Sequence, residues 1–265
     1  MLGWSIKLFR IRGIQLSLHG SFLLLLAYAA WAGWQEERGP GALGEVALVM
    51  AFFTCIVLHE LGHAFAGRRF GVDVTRILLL PIGGMAEFTA IPRRPLHEVL
   101  MALAGPAVNF VIVGLLLTVV RFPPHWLENA PAIPLTVGEL GRHLVAANLV
   151  MGLFNLVPVF PMDGGRVLRA LLASRFSYLR ATFAAATLAK VLAVLAIAVA
   201  LAAPQLQLAP EPLYLPAVLF AFIFFAGEME YRMVRRTELE AAHWRHWWNR
   251  QEITSLPPVS AEPPC

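Results

Sequence analysis

Long apolar stretches, each about the length of a bilayer crossing, alternate along this chain with short segments that hold most of its charges. Six of them, about 14–34, 42–66, 97–120, 139–157, 181–203 and 213–234, are long enough to span as helices. Two segments break the helical pattern. Ile14-Gln15-Leu16-Ser17-Leu18-His19 alternates apolar and polar, as does part of Trp4 to Ile11, which predicts a short strand over about 4–19 leading into the first span. Val72 to Leu80, then Pro81-Ile82-Gly83-Gly84, then Met85 to Ala90 predicts strand, turn and strand over about 72–90. The expected fold is an all-α polytopic membrane protein of about six transmembrane helices. A small cytoplasmic-side β-sheet is expected beside the second span.

Composition agrees with a chain that lives in a lipid bilayer: of 265 residues, 58% are hydrophobic and only 14% charged. A formal net charge of +4 could point to nucleic acid, but the basic residues collect where spans end. Lys7, Arg10 and Arg12 precede the first span. Arg68, Arg69, Arg76, Arg93 and Arg94 lie in 67–96, and Arg166, Arg169, Arg175 and Arg180 lie in 158–180. The positive-inside rule then places both termini in the cytoplasm of a multi-pass protein, expected in a bacterial cytoplasmic membrane, with no nucleic-acid partner. The first span is too long for a signal h-region and shows no convincing cleavage site, so it is expected to be retained. Two cysteines, Cys55 and Cys265, make no disulfide framework. After the last span, Ala241 to Arg250 sets Trp244, Trp247 and Trp248 among basic residues, as in a helix lying among lipid headgroups. Ser255 to Cys265 is Pro-rich and expected to be disordered. The domain division is thus 1–236, with 237–265 as an amphipathic helix and tail.

The chemistry enters at His59-Glu60-Leu61-Gly62-His63, inside the second apolar stretch. On a helix, residues four apart share a face, so the two imidazoles can hold one zinc ion. Glu60 stands beside them, where a carboxylate can take a proton from an attacking water. Ionisable groups at this depth are costly and are kept for function. His59 falls about seven residues from the inner end of its span, or roughly 10 Å in at 1.5 Å per residue.

Two histidines leave zinc one protein ligand short. The candidate is Asp163, in Asn155-Leu156-Val157-Pro158-Val159-Phe160-Pro161-Met162-Asp163-Gly164-Gly165-Arg166. Pro158 and Pro161 must break the fourth span, and Gly164-Gly165 lets the chain turn before a helix from Arg166 to Ala173. Broken backbone at membrane depth is tolerated where it is buried in protein or lines a wet cavity. Helix capping is the plain alternative for Asp163. Glu228 and Glu230 are rival ligands, though Arg232, Arg235 and Arg236 beside them account for them by pairing. Asn155 could hold a substrate carbonyl, or could only satisfy a carbonyl freed by Pro158. Cys55, one turn before His59, could be a fourth ligand but is expected to pack as a small hydrophobe. Gly105-Pro106-Ala107-Val108-Asn109 reads chiefly as close packing against the metal helix. Lys190 interrupts the fifth span, either as a functional group or as a snorkelling or paired cation.

With these pieces in place the chain resembles the site-2 protease family of intramembrane zinc metalloproteases. The resemblance rests on HELGHA at His59 to Ala64, PIGG at Pro81 to Gly84, GPAVN at Gly105 to Asn109 and NLVPVFPMDGGR at Asn155 to Arg166, and covers roughly residues 1–235. It implies one Zn2+ per chain on His59, His63 and Asp163, with Glu60 as general base and Asn155 helping to hold the substrate backbone. It further implies a membrane-spanning protein substrate, such as an anti-sigma factor or a membrane-held regulator. No PDZ domain is expected between the spans and no cystathionine-β-synthase-type domain after them, although many members of the family carry one or the other. Met162 stands where Leu is commoner. Competing readings are a zinc transporter or metal sensor and a di-iron oxygenase. The first needs polar groups across the whole membrane, and the outer halves of the spans hold almost none. The second needs many clustered histidines, whereas six of the eight here are scattered.

Overall fold

The computed structural model describes residues 4–89, 94–123 and 133–255, with side chains given through Trp244 and again at Trp247 and Trp248. Arg93, the end of the second predicted strand at Ala90, and the Pro-rich stretch 256–265 with Cys265 lie outside the described residues. The chain is mostly helical with one small sheet, and it divides into two units, Met1–Arg175 and Phe176–Cys265.

The first unit begins with a hairpin where one strand was expected. β1 (Ser5–Ile11) and β2 (Ile14–His19) pair antiparallel, with Ile11 opposite Ile14. The two residues between them, Arg12 and Gly13, both have positive φ, 47° and 89°. That is the backbone of a tight hairpin turn whose twist suits its strands, and Gly13 is the residue that permits it. The helix of the first span therefore starts at Ser21, and residues 14–19 belong to the sheet instead.

α1 (Ser21–Arg69) is continuous only in name. Glu37 (φ −122°, ψ 22°) and Arg38 (φ 56°, ψ −136°) are non-helical, and Pro40 follows them. The two halves fold back on each other: the backbones of Gly33 and Gly41 touch, leaving no room for a Cβ on either. Further along, the rings of Phe22 and Phe53 meet edge to face at 4.6 Å. These halves correspond to the first two expected spans.

The chain then re-enters the sheet. β3 (Val74–Leu80) runs parallel to β2, with Leu16 opposite Ile77 and Leu18 opposite Leu79. Parallel pairing requires a long crossover, which α1 supplies. β4 (Gly83–Phe88) returns antiparallel after the Pro81-Ile82 turn and completes the order β1-β2-β3-β4. The expected strand, turn and strand over 72–90 is thus present, with β4 at an edge. Ile14, Leu16, Val74, Ile77 and Leu79 bury one face of the sheet against Phe53, Ile56, Val57, Leu61 and Ala64 of α1.

α2 (Pro95–Val119) and α3 (Val137–Asn155) cover the stretches 97–120 and 139–157 expected as helices, and of the two α2 is long and apolar enough to cross a membrane. A capping box starts α3: Thr136 accepts from the Glu139 amide while the Glu139 carboxylate accepts from the Thr136 amide. α4 (Asp163–Ala173) begins three residues earlier than expected. Gly164 and Gly165 do not form a turn. They sit in its first helical turn, where a Cβ on Gly164 would strike the carbonyls of Leu156 and Val157 and one on Gly165 the backbone at Val159 and Phe160. Their smallness serves close approach, which sequence pattern alone does not separate from turning.

The second unit pairs α5 (Tyr178–Leu201) with α6 (Tyr214–Ser255). Ala181, Ala185, Ala186, Ala189 and Ala193 are buried along α5, and Gly227 of α6 lies against Ala186 and Ala189. Small residues let the helices approach closely, the usual device where lipid removes the hydrophobic drive to associate. The aromatic segment expected as a separate surface helix is the unbroken continuation of α6: no Gly or Pro interrupts Glu228 to Ser255. At 1.5 Å per residue, α6 runs roughly 63 Å, about twice a bilayer's hydrocarbon thickness.

Among the described residues, three helices are long and apolar enough to cross a membrane: Ser21–Arg69, Pro95–Val119 and Tyr178–Leu201. Their large apolar side chains point outward as well as inward. Leu24 and Val119 are 73% and 76% exposed, as suits lipid and not water.

Candidate metal centre

The second half of α1 packs on α2 through residues too small to hold the helices apart. A Cβ on Gly62 would lie 2.7 Å from the Ala104 carbonyl oxygen. Gly105 faces the two imidazoles so closely that a Cβ would strike Nε2 of both His63 and His59. Met101, Gly105 and Asn109 recur every four residues on α2 and so present one face to α1. The outer two hold the rings: the His63 Nδ1–H donates to the Met101 carbonyl at 2.8 Å, and His59 Nδ1 lies 2.5 Å from Asn109 Oδ1. Each ring thereby turns its Nε2 toward the same point.

Asp163 supplies the third group. It opens α4, and the broken stretch Leu156 to Met162 brings it back to α1. Its Oδ2 lies 3.3 Å from His59 Nε2 and 3.1 Å from His63 Nε2, and the two nitrogens are 3.1 Å apart. Ligands at 2.0–2.1 Å around a tetrahedral zinc would be separated by roughly 3.3 Å, so these residues fit the ion without rearrangement. His59, His63 and Asp163 are the group among the described residues whose donor atoms converge in this way. All three are buried, so two imidazoles and a carboxylate face one another with little water to solvate them.

Glu60 is half-buried and lies under the sheet. A Cβ on Gly84 would fall 2.9 Å from Glu60 Cγ, so the second glycine of β4 leaves room for this side chain. At the other end of β4, the Arg166 guanidinium stands 5.9 Å over the Phe88 ring, and its charge reaches both Glu60 and Asp163. The edge strand therefore runs from Glu60 at Gly84 to Arg166 at Phe88.

The remaining sequence candidates separate clearly. Asn155 is partly exposed at the end of α3, and its amide donates to the Met151 carbonyl at 3.1 Å, an ordinary bond to its own helix. Cys55 is buried with its thiol beside the Asn148 amide and does not join the ligand group. Glu228 is engaged on both oxygens: Lys190 Nζ donates to Oε2 at 2.8 Å and Arg232 Nε to Oε1 at 2.6 Å. That accounts for Lys190 by pairing.

Two features escaped the sequence. Arg169 and Glu98 form a buried ion pair, in which Arg169 Nε and Nη2 donate to Oε1 at 2.7 and 2.6 Å and tie α4 to the first turn of α2. Arg169 also lies 5.2 Å over the Phe160 ring. As one of four basic residues in 158–180, it carries no sign of burial in the sequence. Asn148 is fully buried and bonded to Asn109, and an amide in the middle of an apolar run is the available signal.

The sequence model of peptidase family M50 matches residues 47–131 and 129–199, together more than half of the chain. A zinc metalloprotease of Methanocaldococcus jannaschii is 36% identical over 233 residues, which is 88% of this chain and 62% of that protein. Rip3 of Mycobacterium tuberculosis is 32% identical over 215 residues, 75% of this chain and 51% of that protein. The chain thus spans about half to three fifths of the length of these relatives. The solved structure of a site-2 protease from M. jannaschii superposes with a TM-score of 0.57 at 33% identity, covering 86% of this chain and 95% of that one.

Proposed function

This chain belongs to peptidase family M50, and from that premise we propose that it hydrolyses a peptide bond within or near the transmembrane segment of a membrane-protein substrate. The chain is an integral membrane protein, and the reading extends its three apolar helices to about six spans, with residues 1–236 as the metalloprotease domain. Both termini lie in the cytoplasm, the membrane is a bacterial inner membrane, and the substrate is a membrane-held regulator such as an anti-sigma factor. The observation that carries the activity is the convergence of His59, His63 and Asp163 beside Glu60, beneath a sheet edge.

His59, His63 and Asp163 would hold zinc. When bound, zinc polarises a scissile carbonyl and brings the pKa of water toward about 7. Glu60 takes the proton from the attacking water and delivers it to the departing amine. Arg169 and Glu98 keep α4 seated on α2, so that Asp163 stays in reach of the two rings. A helical substrate hides its carbonyls in its own hydrogen bonds and must unwind to be cut. The exposed edge of β4, passing over Glu60, offers replacement backbone partners by strand addition. Asn155, at the end of α3, is assigned to the substrate backbone, which would compete with its present bond to Met151.

The test is co-expression with candidate single-span proteins, comparing the intact chain with Glu60→Gln and reading fragments by mass. The expected outcome is loss of cleavage by at least about 10³-fold with zinc content unchanged. Normal cleavage by the Gln chain would remove Glu60 from the mechanism. If no single-span protein is cut by the intact chain, the substrate class is wrong.

A further inference from the structure

We infer that Asn148, which touches none of the three ligands' donor atoms, determines which nitrogen of His59 is free to ligate. The inference rests on His59 being a zinc ligand. Three hydrogen bonds run in line across three helices. Asn148 Nδ2 donates to the Leu144 carbonyl at 2.8 Å, Asn109 Nδ2 donates to Asn148 Oδ1 at 2.9 Å, and Asn109 Oδ1 meets His59 Nδ1 at 2.5 Å. Asn109 and Asn148 are both 0% exposed, so each group must find its partner inside the protein.

The chain of bonds has a direction because an amide has unlike ends. A backbone carbonyl can only accept, so Leu144 fixes the NH2 end of Asn148. That leaves Asn148 Oδ1 for the NH2 of Asn109, and leaves Asn109 Oδ1 for His59. An oxygen facing Nδ1 requires the proton on Nδ1, and the lone pair on Nε2 then points at His63 and Asp163. With Asn109 reversed, its N–H would face Nδ1, the proton would move to Nε2, and His59 could not bind a metal. His63 needs no such director, because Met101 offers it a backbone carbonyl that cannot turn round. One ligand is set directly and the other through two amides.

The test measures zinc affinity of the purified full chain by competition with a chelator. Asn148→Leu keeps the volume and removes the direction, and it should weaken zinc about 10- to 100-fold. Asn109→Asp gives His59 an oxygen whichever way the group turns, so it should make position 148 irrelevant. Asn109→Asp/Asn148→Leu is expected within about 3-fold of Asn109→Asp alone, a coupling that packing would not produce. Asn148→Asp, a donor and acceptor when protonated, should stay near the parent. Should the leucine prevent folding, Asn148→Ala makes the same comparison. Unchanged affinity in the single variant overturns the inference, as does an equal loss from Asn148→Leu in both backgrounds. A parent chain that binds no zinc overturns both this inference and the metal reading beneath it.

Discussion

Two clusters of ionisable side chains sit among apolar helices, one in each unit, and they differ in how their charges are balanced. In the second unit Lys190, Glu228 and Arg232 alternate in sign, and both oxygens of the one carboxylate are engaged by cations. In the first unit two imidazoles and a carboxylate aim lone pairs at one point, and among the described residues no salt bridge joins a Lys or Arg to them, the nearest positive charge being felt from Arg166. The first arrangement is complete as it stands. The second is a set of donor atoms that could hold a metal ion. The rule that charged groups at membrane depth mark function therefore discriminates only after the partners are counted.

The buried pair Glu98–Arg169 sharpens this comparison, because it is balanced like the second cluster yet lies beside the first. Glu98→Gln takes from the buried Arg169 the charged oxygen that its Nε and Nη2 donate to. The expected cost is about 3–5 kcal/mol of stability, read as a lowered denaturation midpoint in detergent. A shift below 1 kcal/mol would show that water reaches the pair and that balance is not what holds α4 in place.

Gly105→Ala acts on the unbalanced cluster itself. The added methyl would strike both Nε2 atoms, so the rings or the helices must move apart. Zinc affinity should fall about 10- to 100-fold, measured by chelator competition, while far-UV circular dichroism keeps its helical content. Unchanged affinity would mean that the rings turn aside freely, contrary to their anchoring on Met101 and Asn109.

How much of this was legible in sequence follows from how far each feature reaches along the chain. His59 and His63 were legible because a helical repeat places i and i+4 on one face, and Asp163 because two prolines announce an interrupted helix. The strand pair of 72–90 was legible from its turn residues. Asn148, by contrast, acts through Asn109, 39 residues away, and Arg169 through Glu98, 71 residues away. No local period encodes which helix faces which. Gly105 was read as a packing residue, which is correct for α2 against α1, but not as the residue that makes room for both rings. Arg12-Gly13 forms a hairpin turn that is legible in principle, whereas the alternation on either side by itself predicts one strand.

Lys190→Met should have the smallest effect of these changes. It removes one of two cations from Glu228, and Arg232 stays at 2.6 Å on the other oxygen. The side chains of Lys190 and Glu228 are 23% and 26% exposed, so neither is sealed from its surroundings. An ion pair of that kind contributes about 0–1 kcal/mol, and the loss should fall in that range. Zinc affinity and cleavage are expected to match the parent, because the ligand set is complete without this cluster. A variant that stayed folded and kept its zinc but cleaved slowly would break the comparison. It would give the balanced cluster a part in handling substrate, and charge balance would no longer separate structural from functional groups in this chain.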